Sequence, residues 1–84
     1  MPDPIANLDW DDLRVFLTSV RCQSVSAASR ELSVSHSTVS RRLSRLEYTL
    51  GAALFERNRE GLVLTSFGHM VLRRAEEVAN GIGN

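Results

Sequence analysis

The sequence predicts a mainly α-helical domain carrying a small β-hairpin, and three stretches support that expectation. In residues 34–50, Val39, Leu43, Leu46 and Leu50 recur at the spacing of one apolar stripe on a helix. At about 100° per residue, Ser37, Ser40, Arg41, Ser44, Arg45 and Tyr48 fall on the opposite side, and no acid lies between His36 and Arg45. A shorter helical run, residues 26–32, precedes it across the turn Ser33-Val34-Ser35. Two β-like runs, 54–57 and 62–64, follow it on either side of the polar loop 58–61. A short helix, a tight turn, a capped amphipathic helix and a hairpin together give a winged helix-turn-helix. Its parts are a three-helix core, a small β-hairpin wing and a C-terminal linker helix.

Taken in order, residues 1–8 hold Pro2 and Pro4 and read as a disordered lead-in to a domain spanning 9–65. Asp9 is placed to cap the first helix, whose acidic first turn (Asp11, Asp12) suits the positive end of the helix dipole and is expected to be solvated. Trp10, Leu13, Phe16, Leu17 and Val20 form its expected buried stripe. Ser24 or Ser26 caps the second helix, and small Ala28 at its middle allows another helix to cross closely. Val34 is the apolar residue expected to plug the turn inward. Ser35 caps a recognition helix over about 36–48, and Gly51 stands where a left-handed residue ends it. In the hairpin, Leu54, Leu62 and Leu64 are expected to face the helices, since a lone two-stranded hairpin is weak. Thr65 caps the last helix, from Ser66 to about Asn80, and residues 80–84 are expected to fray. Phe67, Val71, Ala75, Val78 and Ile82 make a narrow stripe along that helix. Two readings stand for the stripe: a seam for a partner helix, or packing against the chain's own first helix.

Eighty-four residues form one domain with a small core, marginal by itself. The sequence has no apolar run long enough to span a membrane and no signal-peptide pattern at its start. One cysteine, Cys22, excludes an internal disulfide and fits the reducing cytoplasm. Formal net charge is zero, but it is unevenly distributed: residues 33–59 carry five arginines against two acids, while the segments on either side are net acidic. A basic face on a neutral domain steers one surface towards phosphates. His36, His69 and Cys22 lie far apart in the sequence, and there is no glycine-rich phosphate loop or metal-ligand spacing. The sequence therefore argues against an enzyme and calls for no cofactor or metal.

The stretches LRVFLTSV (13–20), SVSAASRELSVSHSTVSRRLSRLEYTLGAALFER (24–57) and GLVLT (61–65) resemble the N-terminal DNA-binding domain of LysR-type transcriptional regulators. The resemblance implies that the third helix enters the major groove of double-stranded DNA, with His36, Ser37, Ser40 and Arg41 at base- and phosphate-contacting positions. It further implies that Arg57 is the wing arginine at a flanking minor groove or backbone, and that residues 66–84 are a linker helix pairing two subunits on an inverted repeat. An effector-binding domain, which would take a small molecule, lies outside this sequence on that reading. The chain departs from the family's common pattern at three places. His36-Ser37 replaces Gln-Pro, Gln23 replaces a turn glycine and is expected in a left-handed conformation, and Ser66-Phe67 replaces Pro-Ala.

The expected DNA-contacting set is therefore His36, Ser37, Ser40, Arg41, Ser44, Arg45, Arg57 and Arg59, with Phe67, Val71, Ala75, Val78 and Ile82 for dimerisation. Two alternatives stand beside it. The basic helix could serve a protein-interaction or oligomerisation module without specific DNA binding, and Arg57 could instead form a structural ion pair with Glu47 or Glu56.

Overall fold

A computed structural model describes residues 8–80, with side chains to residue 77. Residues 1–7 of the expected lead-in (1–8) and residues 81–84 of the expected fraying end (80–84), Ile82 among them, lie outside the described residues, as does the side chain of Val78. Leu8, by contrast, packs partly buried against the core. The elements run α1 (Trp10–Cys22), α2 (Val25–Leu32), α3 (His36–Leu50), β1 (Phe55–Asn58), β2 (Gly61–Leu64) and α4 (Ser66–Asn80).

Each helix starts where a short polar side chain can satisfy a free amide. Asp9 Oδ1 accepts from the Asp11 N–H at 3.0 Å, and Ser24 Oγ accepts from the Ala27 N–H at 3.1 Å. Ser35 Oγ accepts from the Thr38 N–H at 3.1 Å, and Thr65 Oγ1 accepts from the Gly68 N–H at 2.9 Å. The first three helices end at left-handed residues: Gln23 (φ 57°), Ser33 (φ 60°) and Gly51 (φ 89°). At Ser33 the turn is closed twice, by its own N–H to Arg30 O and by the Val34 N–H to Ser29 O.

Helix α1 is the centre of the fold, packed against α2, α3, β2 and α4. A helix with neighbours on several sides buries more than one stripe. Leu13, Val15 and Phe16 are buried together with Asp12, Thr18 and Ser19. Two expectations fail here. Trp10, at the open end of α1, is 54% exposed, and Leu17 and Val20 are only partly covered. Val34 is also exposed, at 41%, because the turn is closed by backbone hydrogen bonds and needs no apolar plug. Phe16 is fully buried and meets Phe55 of the wing at 5.6 Å between ring centroids. Ala28 is likewise fully buried in the core shared by α1, α2 and α3.

The wing is an antiparallel pair with Phe55 opposite Leu64 and Arg57 opposite Leu62. Asn58 opposite Gly61 makes the connection a two-residue turn, Arg59-Glu60. Leu54, Phe55 and Leu62 are buried, Leu64 is half-buried and Val63 faces outward. Gln23 ties the wing to α1, since its carbonyl accepts from the Leu62 N–H at 3.0 Å. Gly61, with φ 124°, lies so close that a Cβ there would stand 2.2 Å from Gln23 O.

Helix α4 closes the other side of α1 and β2. Its stripe turns inward: Val71 and Ala75 are buried in the core of the same chain, and half-buried Phe67 packs against that core. Val71 and Ala75 thus follow the second reading of the stripe, packing within the chain itself. Helical spacing showed that α4 has an apolar face; the uncovered flanks of α1 and β2 take it. The residues α4 leaves outward include Ser66, His69, Met70 and Arg73, with Met70 51% exposed, and further along Arg74, Glu76 and Glu77.

Candidate nucleic-acid interface

Helix α3 separates its two jobs cleanly. Val39, Leu43 and Leu46 are buried, fixing the helix on α1 and α2. On the outer side Ser37, Arg41, Ser44, Arg45 and Tyr48 are exposed, Tyr48 at 88%. The amides of the first turn and the positive end of the helix dipole open at the same place. Ser35 Oγ also shares hydrogen bonds with the hydroxyls of Ser37, at 3.2 Å, and Thr38, at 2.7 Å. The first turn is thus ordered before any ligand arrives.

The wing and this turn border one cleft. Arg57 shares a face with buried Leu62, because directly opposed residues in an antiparallel pair point the same way. That face borders a cleft where Arg57 and Asn58 of the wing stand with His36 and Ser40 of α3 and with Ser24 and Ser26 at the start of α2. Three element ends therefore bring hydroxyls, an imidazole and a guanidinium to one groove. Arg59 is exposed in the wing turn. None of the ion pairs among the described residues involves Arg41, Arg57 or Arg59.

Two of the acids have roles that local sequence reading misses. Glu47, one of the two acids in the alternative ion-pair reading of Arg57, accepts from the Leu54 N–H at 2.8 Å and the Phe55 N–H at 3.3 Å through Oε2. It ties the C-terminal half of α3 to the root of the wing. Asp12, expected in solvent, is buried on α1 and receives Arg45 of α3, with Arg42 Nη1 3.5 Å from Oδ1. The hydrogen bond to Asp12, and then its charge, raise the Arg45 guanidinium above its ordinary pKa. The signal was present in the sequence: Asp12, Phe16 and Ser19 stand at i, i+4 and i+7, the spacing of one helix face. Arg45 therefore differs from Arg41 in being engaged within the chain. His69 lies on α4, apart from His36, and Cys22 Sγ sits 3.7 Å from Glu31 Oε1, beside the Arg21–Glu31 pair that joins α1 to α2.

A three-helix core, a helix-turn-helix with a serine- and arginine-bearing outer face, and a two-stranded wing define a winged helix-turn-helix domain. Residues 10–69 match the bacterial regulatory helix-turn-helix proteins of the lysR family, and the chain belongs to that family. It is 38% identical over 69 residues to the uncharacterized HTH-type transcriptional regulator YybE of Bacillus subtilis (strain 168), covering 82% of this chain and 24% of that protein. It is 41% identical over 71 residues to the HTH-type transcriptional regulator BbuR of Bordetella bronchiseptica, covering 84% of this chain and 22% of that protein. The chain thus spans about a quarter of the length of these curated relatives. Among solved structures, the CbnR DNA-binding domain in complex with DNA superposes with a TM-score of 0.81 at 30% identity, over 86% of this chain and 83% of that one. The BenM DNA-binding domain with catB site 1 DNA gives 0.81 at 29% identity, over 86% and 81%. No helix among the described residues is long and apolar enough to cross a membrane.

Proposed function

We propose that this chain is the DNA-reading domain of a bacterial transcriptional regulator, with α3 in the major groove of double-stranded DNA. The observation that carries the reading is the outer face of α3: serines and Arg41 exposed and free of acids, on a helix whose other side is fixed in the core. Two neighbours of the same fold were solved with DNA, which supports the same assignment. On this reading His36, Ser37, Ser40 and Ser44 meet base edges, and Arg41 holds a phosphate or forks onto a guanine. Arg57 reaches a flanking minor groove or backbone beside the α3 contacts, and Arg59 follows from the wing turn. The domain works in the cytoplasm as a homodimer paired through α4. The outward residues Ser66, His69, Met70 and Arg73 serve the pairing in place of buried Val71 and Ala75. Two copies then read an inverted repeat. A further domain, outside this sequence, takes a small-molecule effector.

The test is a salt titration of a labelled duplex by fluorescence anisotropy, joined to selection from random DNA. Three phosphates neutralised by Arg41, Arg57 and Arg59 give a slope of log affinity against log salt of about −3 per protomer. Binding without salt dependence, or a selection that returns no preferred site, would instead favour a protein-interaction module.

A further inference from the structure

The contact between α1 and α3 is unusual in its geometry. The Asp12 side chain is only 9% exposed, yet its partner Arg45 is 58% exposed. One nitrogen makes the whole contact: Arg45 Nη2 donates to Asp12 Oδ1 at 2.8 Å and to Oδ2 at 2.9 Å. This end-on arrangement leaves Nε and Nη1 outside the contact, and with them three of the five N–H donors of a guanidinium. By helical geometry Arg45 stands about 40° around α3 from Arg41, on the flank of the outer face. Arg42 approaches the same carboxylate from a more covered position, with 34% of its side chain exposed. The carboxylate meets two guanidiniums, Arg45 and Arg42, and Asp9 adds a weaker negative charge at Arg45, so Arg45 is held at one nitrogen while its remaining donors stay outside the contact.

We infer that Asp12 is a positioning residue for DNA binding: it anchors Arg45 by one nitrogen and leaves the rest of the guanidinium free for a backbone phosphate beside the α3 contacts. The inference rests on the DNA-binding reading above. A solvated arginine loses rotamer freedom when it is fixed on a phosphate, whereas one already held by a buried acid has much less to lose. The buried carboxylate, for its part, needs a counter-charge, and Arg42 contributes one that stays with the protein.

The experiment compares wild type, Asp12→Asn, Arg45→Gln and the double variant in anisotropy titrations over a range of salt. The probe is a fluorescein-labelled mixed-sequence duplex, since a phosphate contact is independent of sequence. Removing an acid from a DNA-binding surface should tighten binding by simple charge. Positioning predicts the reverse: Asp12→Asn weakens binding about threefold to tenfold. Arg45→Gln lowers the magnitude of the salt slope by about 0.9 per protomer. In the Arg45→Gln background Asp12→Asn causes no further loss. Tighter binding by Asp12→Asn would mean that the acid withholds Arg45 and would overturn the proposal. An equal loss in both backgrounds would overturn it too, since the effect would then not pass through Arg45.

Arg45→Lys serves as a second variant should Asp12→Asn unfold. It keeps the charge but has one nitrogen, which cannot hold Asp12 and a phosphate in the arginine's geometry. Affinity near that of Arg45→Gln supports positioning, and wild-type affinity refutes it. Wild type that binds no duplex in a salt-dependent way defeats the DNA-binding reading itself. Wild type that binds while Asp12→Asn is unimpaired defeats only the role of Asp12.

Discussion

Replacing Glu47 with alanine should loosen the wing and cost the domain a large part of its stability. Oε2 of Glu47 is the acceptor for two consecutive amides, Leu54 at 2.8 Å and Phe55 at 3.3 Å, and both those residues are buried. Leaving a buried N–H without an acceptor costs about 1–3 kcal/mol, and the lost bonds here are to a carboxylate. The second bond is long and Glu47 itself is half-buried, so water recovers part of the loss, giving a net of about 2–3 kcal/mol. A domain of this size holds only about 4–12 kcal/mol in total. Thermal unfolding followed by circular dichroism should therefore show a fall of about 10–20 °C in Tm. Glu47→Gln keeps an oxygen acceptor of the same reach and should lose roughly half as much. Below its melting range Glu47→Ala should bind duplex DNA about as weakly as Arg57→Ala, because the root of the wing is what places Arg57 beside His36 and Ser40. An alanine variant that melts with wild type, or melts above the glutamine variant, would refute the assignment of Glu47 as the wing's anchor.

How much of this was legible in the sequence depends on the range of the interaction. Caps act within three residues, and Asp9, Ser35, Gly51 and Thr65 do in the structure what local rules predict. The α3 stripe was legible for the same reason, since Val39, Leu43 and Leu46 all face one core. Gln23 could be expected in a left-handed conformation, but its carbonyl bond to Leu62 joins elements far apart in the chain and has no local signature. Asp12 and Arg45 are separated by 33 positions. Each alone looks like a solvated charge, and only the crossing of α1 over α3 makes them a pair. The stripe on α4 shows the limit most clearly: periodicity reveals that a face will be buried and is silent about what buries it. Arg57 lies between these cases, because its place in the cleft follows from a two-residue turn and the register it sets, whereas the sequence offered a four-residue loop.

The remaining expectations address the DNA face, a close backbone contact and the dimer. Arg41→Ala should weaken duplex binding more than Arg73→Ala, and equal losses in anisotropy at fixed salt would remove α3 from the interface. His36→Gln with Ser37→Pro should change the base selected at one position per half-site, each good base contact carrying about 1–3 kcal/mol of discrimination. An unchanged site from random selection would refute direct readout there. Gly68→Ala places a Cβ 2.2 Å from Leu54 O and 2.7 Å from Leu64 Cδ2, so melting should show a loss of about 1–3 kcal/mol; unchanged stability would show that the contact relaxes freely. The last expectation separates the two faces of α4. Val71 is 1% exposed and Met70 is 51% exposed, so adjacent residues answer to different partners. Val71→Ala opens space in the chain's own core and should lower stability by about 1–3 kcal/mol while leaving any self-association intact at temperatures where it stays folded. Met70→Glu removes nothing from that core and should leave the monomer's fold intact. If α4 pairs through its outward side, each copy of that glutamate brings a charge to the symmetric contact, where desolvation and mutual repulsion both oppose pairing. Sedimentation over a concentration range should then shift Met70→Glu to monomer, with palindrome binding falling towards half-site affinity. The opposite pattern, with Val71→Ala folded but monomeric and Met70→Glu still dimeric, would return the seam to the inner stripe and require α4 to leave α1 when two chains meet.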